Sequence, residues 1–187
     1  MVVLASASPR RRELLHILLE EFDIQPAVGE ECTPAVGDAG AIVRALALAK
    51  AREVAVSRPL DLVIGADTVV ELDGRILGKP ADAAAAAEML RQLSGKRHRV
   101  HTGLAVLKNG TEIVDAVEST VCFRELSEAE IAGYVATGEP LDKAGAYAIQ
   151  GKASLFIEGI EGDYFNIVGL PLYRLGNLLT QCGVKLL

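Results

Sequence analysis

The sequence predicts a mixed α/β fold, a sheet of mixed strand direction flanked by helices. Three observations carry this. Helical and strand-like segments alternate along the first eighty residues. Two long strand patterns meet at Asn109-Gly110, a strong hairpin turn that demands antiparallel neighbours. Half of the 187 residues are apolar, enough for a sizeable core. No repeat and no linker divides the chain, so residues 1–187 are read as one domain.

Val2–Ala5 reads as a short buried strand. A helix follows from Pro9, with Ser8 as its N-cap and Pro9 at the first helical position. Leu14, Leu15, Leu18, Leu19 and Phe22 recur at helical spacing. A strand is expected at 22–26, then a loop over 28–38 and a strong helix over 39–57. Leu62–Ile64 and Thr68–Leu72 read as two strands broken by Gly65-Ala66-Asp67, with a turn at Asp73-Gly74. The alanine run after Asp82 favours a helix. Long strands flank Asn109-Gly110, and Ser127 with Glu130 forms a capping box that opens another helix. Residues 137–152 read as a glycine-rich loop, 154–170 as a second hairpin, and 171–183 as a closing helix.

Composition narrows the function. A net charge of −6 argues against a general nucleic-acid binder but allows a local basic pocket for a small anion. Cys32, Cys122 and Cys182 are widely spaced and odd in number, as expected of reduced thiols in a cytoplasmic chain. No stretch approaches the ~20 apolar residues of a membrane span. The usual phosphate loops, HExxH and GxSxG are absent. His98 and His101, an odd spacing on a strand, point to opposite faces and are expected to be solvated.

The sharpest signal is Arg10, Arg11 and Arg12 in the first turn of the first helix. Cations oppose the helix dipole there, and an anion would resolve the conflict. Three consecutive residues point about 100° apart, so at least one can lean over the helix end. There the guanidinium and the N–H groups above Ser8 could share a phosphate. Asp67 reads equally as a metal ligand or general base and as a turn aspartate capping its own backbone. Glu30 and Glu31 form an acidic loop pair; one of them beside Asp67 would suit Mg²⁺. Lys50 suits the edge of a buried helix face, and Lys79 a solvated loop or a phosphate contact. Gln150 offers a donor and an acceptor together, as a pyrimidine edge requires, although a backbone-bonded loop glutamine is the plainer reading. Thr68 reads by default as an ordinary strand residue.

Taken together and in order, LASASPRRRELL, VGEE, LAKAREVA, GADTVV, LGKP, LRQLSGKRHRVHTGLAV, EPLDKAGAYAIQG and GDYFNIVGLPL resemble the Maf family of nucleoside-triphosphate pyrophosphatases. The resemblance covers nearly the whole chain. It implies two lobes around a central cleft, a fold shared with the inosine-triphosphatase type. It also implies hydrolysis of the α–β phosphoanhydride of a nucleoside triphosphate with a divalent cation, Mg²⁺ or Mn²⁺. The family's catalytic aspartate matches Asp67 and its metal-side glutamate matches Glu31 best, with Glu30 the alternative. Its phosphate-contacting cations match Lys50 and Lys79, and its specificity residues Arg11, Thr68 and Gln150. The AIQG ending resembles the branch acting on dTTP and UTP. Ala148 stands where the family often has glycine. A homodimer would be usual for the family. The rival expectations are a non-catalytic nucleotide-binding regulator of cell division and the same chemistry on 7-methyl-GTP.

Overall fold

The computed structural model describes residues 1–29 and 37–187. Their order is β1 (Val2–Leu4), α1 (Pro9–Leu15), β2 (Asp23–Ile24), α2 (Ala39–Ser57), β3 (Leu62–Leu72), β4 (Arg75–Leu77) and α3 (Ala83–Leu93). There follow β5 (Arg97–Lys108), β6 (Thr111–Phe123), α4 (Glu128–Val135), β7 (Ile157–Glu161), α5 (Tyr164–Val168) and α6 (Leu172–Gln181). Short 3-10 turns lie between α4 and β7. The described strands form a seven-stranded sheet in the order β2-β1-β3-β5-β6-β7, with β4 also on β3. β1 runs parallel to β2 and β3, and the remaining pairs are antiparallel. The expected mixed sheet flanked by helices is what the chain forms.

β3 is one continuous strand, where the sequence suggested a break at Gly65-Ala66-Asp67. The reason lies on α2. A Cβ on Gly65 would collide with the carbonyl of Ala47, and one on Gly103 with that of Val43. Both positions leave room for helix backbone, so Gly65 marks close approach and not a turn. The helix contributes Val43, Ala47, Ala51 and Val54 to the contact, all buried and mostly small. Asp38 caps it by accepting from the N–H of Ala41.

Side chains alternate across a strand. Val63, Asp67 and Val69 therefore face α2, and Ile64, Ala66, Thr68 and Val70 face the opposite side. On that opposite side the core divides. Leu4, Leu15, Ile64, Leu104, Leu170 and Leu175 belong to one apolar cluster under α1 and α6. Val70, Leu90, Val100, Phe123, Ile131 and Tyr147 belong to another under α3 and α4. These are the two lobes, built on one sheet.

The Asn109-Gly110 turn, the Asp73-Gly74 turn and the Ser127–Glu130 capping box form as expected. The second hairpin does not. β7 pairs with β6, but the chain then coils into α5. Asp163 caps that helix by accepting from the Phe165 N–H, and Gly169, at φ 118°, ends it. Two end signals six residues apart outweigh the strand pattern between them. The strand expected at 22–26 shrinks to Asp23–Ile24, and α1 stops at Leu15. Cys122 and Cys182 are free thiols; Cys32 lies outside the described residues.

The two histidines face opposite ways, but both are buried, at 2% and 6% exposure. His101 sits 3.0 Å from Glu71, which also accepts from Arg99 at 2.5 Å. His98 sits 2.8 Å from the Tyr147 hydroxyl and edge-on to Phe123. Periodicity places a residue on a face; it does not say that other elements cover both faces. Burial lowers the pKa of His98 to about 4.

Two outcomes follow. Gly65→Ala must push α2 off the sheet, and urea unfolding should show a loss of about 1–3 kcal/mol, the usual range for overpacking. Gly159→Ala, with nothing within 4 Å of its added Cβ, should stay within about 0.5 kcal/mol of the parent. The second concerns pH. Unfolded, His98 takes a proton near 6.5; folded, it stays neutral down to about 4. The unfolded chain thus binds more protons between those values. Its contribution is fully present above pH 6.5, and stability falls below it by up to about 3 kcal/mol. His98→Gln should flatten that part of the unfolding free energy measured from pH 7 to pH 4.5.

Candidate active site

The cleft between the lobes opens where β3 loses its neighbour. β1 covers one edge of β3 as far as Ile64, and β4 covers the same edge from Val70. Between them, Gly65 to Val69 has no strand on that side among the described residues. A ligand at this edge lies outside the carboxyl end of a parallel strand, the usual place for a site in such sheets. The cleft has a volume of about 940 Å³ and reaches both faces of β3 at the gap.

On the α2 face, Asp67 is buried at 6% exposure. Lys50 donates to its Oδ1 at 2.6 Å. The close seat of α2 on Gly65 and Gly103 brings the two together, because Lys50 follows Ala47 by three residues on the helix. A carboxylate at this depth requires such a partner. The turn-capping alternative for Asp67 falls away, since the residue lies inside a strand.

On the other face, Thr68 meets Arg11. The guanidinium donates from Nη2 to Thr68 Oγ1 at 3.0 Å, from Nε to the Gly169 carbonyl at 2.9 Å, and from Nη1 to Ser6 Oγ at 3.2 Å. Ser8 caps α1 by accepting from the Arg11 N–H at 3.4 Å. The three arginines do diverge. Arg10 and Arg11 line the cleft and Arg12 is exposed.

The far wall is a built loop. Gly145, at φ 68°, packs on Val70 and donates its N–H to the Gly78 carbonyl at 3.0 Å. This couples the 143–150 segment to the loop that carries Lys79. The Tyr134 hydroxyl accepts from the Ala148 N–H at 3.2 Å and donates to Glu139 at 2.8 Å. A Cβ on Gly151 would strike the Glu139 carboxylate. Gln150, exposed, is thereby presented at the cleft. Ala148, the departure from glycine, also lines it.

Charge in the cleft opposes charge in the chain. Arg10, Arg11, Lys50, Lys79 and Lys143 line it against the carboxylates of Asp67 and Asp142, among the described residues. The chain as a whole carries −6. Lys143 pairs with Asp142 and holds that carboxyl below the usual range, with Arg10 on the opposite lobe adding to the effect. A basic cleft concentrates small anions even where the net charge of the chain is negative.

Ser8, Arg11, Lys50, Asp67, Thr68, Lys79 and Gln150 thus all meet at one cleft. Glu30 and Glu31 lie outside the described residues. Among the described residues no three His, Cys, Asp or Glu side chains converge as a cation site. Asp67 supplies a hard oxygen donor, and Mg²⁺ sites commonly combine one or two carboxylates with substrate phosphates, so the donor chemistry fits. Sequence reasoning missed Ser6, Lys143 and Thr102. Ser6 and Lys143 stand in motifs already singled out, SASPRRR and DKAGAY. Thr102 also stands in a quoted motif, LRQLSGKRHRVHTGLAV, but only strand register places it beside Thr68.

Comparison with known proteins gives a concordant result. The model of the family described as Maf-like protein matches residues 1–182. A Moorella thermoacetica protein named dTTP/UTP pyrophosphatase is 55% identical over 185 residues, 98% of this chain and 95% of that one. A Thermococcus gammatolerans protein of the same name is 52% identical over 172 residues, covering 92% of this chain and 91% of its own. The structure of the Staphylococcus aureus Ham1 protein superposes with a TM-score of 0.55 at 14% identity, over 96% of this chain and 98% of that one. That last likeness concerns the fold alone. No helix among the described residues is long and apolar enough to cross a membrane.

Proposed function

This chain belongs to the Maf-like protein family, and we propose that it is a nucleoside-triphosphate pyrophosphatase that cleaves dTTP and UTP to the monophosphate and pyrophosphate. The observation that carries the reading is the buried Asp67–Lys50 pair in a cleft lined by five cationic side chains. A polyphosphate needs the cations, and an attacking water needs a carboxylate. Relatives matched over nine-tenths or more of their own length and named dTTP/UTP pyrophosphatase support the choice of nucleobase.

The triphosphate enters with its phosphates toward Lys50, Lys79 and the N–H groups at the start of α1, where Ser8 lies. Asp67 accepts the proton from a water that attacks the α-phosphorus, and pyrophosphate leaves. Lys50 orients the carboxylate through its 2.6 Å contact and adds positive charge where the transition state gathers negative charge. Alignment and charge carry most of the acceleration, since phosphoryl-type transfer leaves the protein little covalent work. Asp67 and Glu31 would hold a divalent cation, Mg²⁺ or Mn²⁺, which supplies charge neutralisation and polarises the phosphoryl group when bound. Thr68, Arg11 and Gln150 meet the base.

The test is pyrophosphate release across a nucleotide panel, with both products identified. UTP and dTTP should be turned over ahead of CTP, purine triphosphates and 7-methyl-GTP. Asp67→Asn should keep nucleotide binding and lose turnover by about 10²-fold or more, the scale of a general base. Near-parental turnover in that variant would remove Asp67 from the role. Binding of UTP without release of pyrophosphate by the parent would favour the regulator.

A further inference from the structure

Thr68 is held in a chain of hydrogen bonds whose direction can be read. Thr102 lies directly opposite it on β5 and is fully buried. The two hydroxyls are 2.9 Å apart, and Thr102 Oγ1 is also 2.9 Å from the Asn166 carbonyl oxygen. A carbonyl only accepts, so the single hydroxyl proton of Thr102 goes to Asn166. Thr102 then has only lone pairs to offer Thr68, and Thr68 must give it its own proton. Any other arrangement sets two lone pairs against each other at 2.9 Å in a buried place, which is costly. From the other side, Arg11 Nη2 donates to Thr68 Oγ1 at 3.0 Å.

The chain therefore runs one way, from Arg11 through Thr68 and Thr102 to the Asn166 carbonyl. Its ends are fixed by the same short helix. Asn166 is fully buried, and its amide nitrogen donates to the Val100 carbonyl at 3.0 Å and to Ser119 Oγ at 2.9 Å. Gly169, at the end of α5, takes the Nε–H of Arg11. Thr68 is the one residue of β3 that is only partly buried, and it lines the cleft.

We infer that Thr102 is a positioning residue that fixes Thr68 as a hydrogen-bond acceptor toward the cleft, so that the site takes a pyrimidine with a ring N3–H and turns away cytosine. The inference rests on the nucleotide reading above and adds its means of base selection. A free threonine hydroxyl rotates to donate or accept. A glutamine amide, as on Gln150, turns over to do the same. Neither alone separates uracil, which has N3–H, from cytosine, which has a lone pair at N3. A hydroxyl whose proton is already committed does separate them. A site built around one polarity rejects the analogue of the opposite polarity strongly, because two acceptors then face each other unpaired.

The test compares kcat/KM for UTP and CTP in the parent, Thr102→Val and Thr102→Ser. A ratio within one preparation is insensitive to the fraction folded, so partial loss of fold in Thr102→Val does not blur it. Valine releases the Thr68 proton, which can then turn into the cleft. The UTP:CTP ratio should fall about tenfold, the equivalent of one modest hydrogen bond. Serine keeps the relay and should hold the ratio within about twofold of the parent. Equal losses on UTP and CTP in Thr102→Val, or the same fall in Thr102→Ser, would overturn the role of Thr102. A parent that prefers UTP and a Thr102→Val variant that keeps the preference would overturn this inference alone. A parent that cleaves neither UTP nor dTTP would overturn the functional reading and this inference with it.

Discussion

The approach of α2 to the sheet governs this molecule. Two glycines, Gly65 and Gly103, give up their side chains so that helix backbone can lie directly on β3 and β5. The short distance that results lets Lys50 reach a carboxylate planted in the middle of a strand. Without the lysine, Asp67 would be a buried unpaired charge, a costly state. Without the glycines, the lysine could not reach it. Packing and chemistry are therefore the same contact seen from two sides.

The opposite face of β3 solves a different problem. Two apolar clusters share it, one under α1 and α6 and one under α3 and α4. Between them lies a polar belt of Ser6, Arg11, Thr68, Thr102 and Asn166, each hydrogen-bonded to the next element across. The belt keeps the two cores from merging, and the cleft runs along it. Because β1 stops at Ile64 and β4 begins pairing at Val70, the edge between is left open. A single strand thus offers a carboxylate on one face and an oriented hydroxyl on the other, at adjacent residues.

Much of this was legible in the sequence, and the failures have physical causes. The hairpin turns, the capping box and α2 follow from local rules that no distant contact overrides. Asp67, Lys50, Lys79, Arg11 and Gln150 stand in motifs, and the fold brings them to one cleft. Gly65 reads as a strand break in the sequence, which does not say that a helix lies against it. The apolar pattern after β7 fits a strand, but the Asp163 and Gly169 caps fold it as α5. The burial of the two histidines is not legible locally, because it depends on residues far away in the chain, here Tyr147 and Glu71. Thr102 stands in a quoted motif, but its pairing with Thr68 comes from strand register, which the sequence alone does not give.

The account stands on the open stretch of β3 as the seat of a nucleoside triphosphate. A crystal structure with a hydrolysis-resistant UTP analogue, bridged by nitrogen between the α- and β-phosphorus, tests it most directly. The phosphates should lie between Lys50, Lys79 and the start of α1, with the α-phosphorus on the Asp67 side and the uracil against Thr68 and Gln150. A nucleotide bound elsewhere, such as the groove between the end of α2 and the β5–β6 turn, would contradict it.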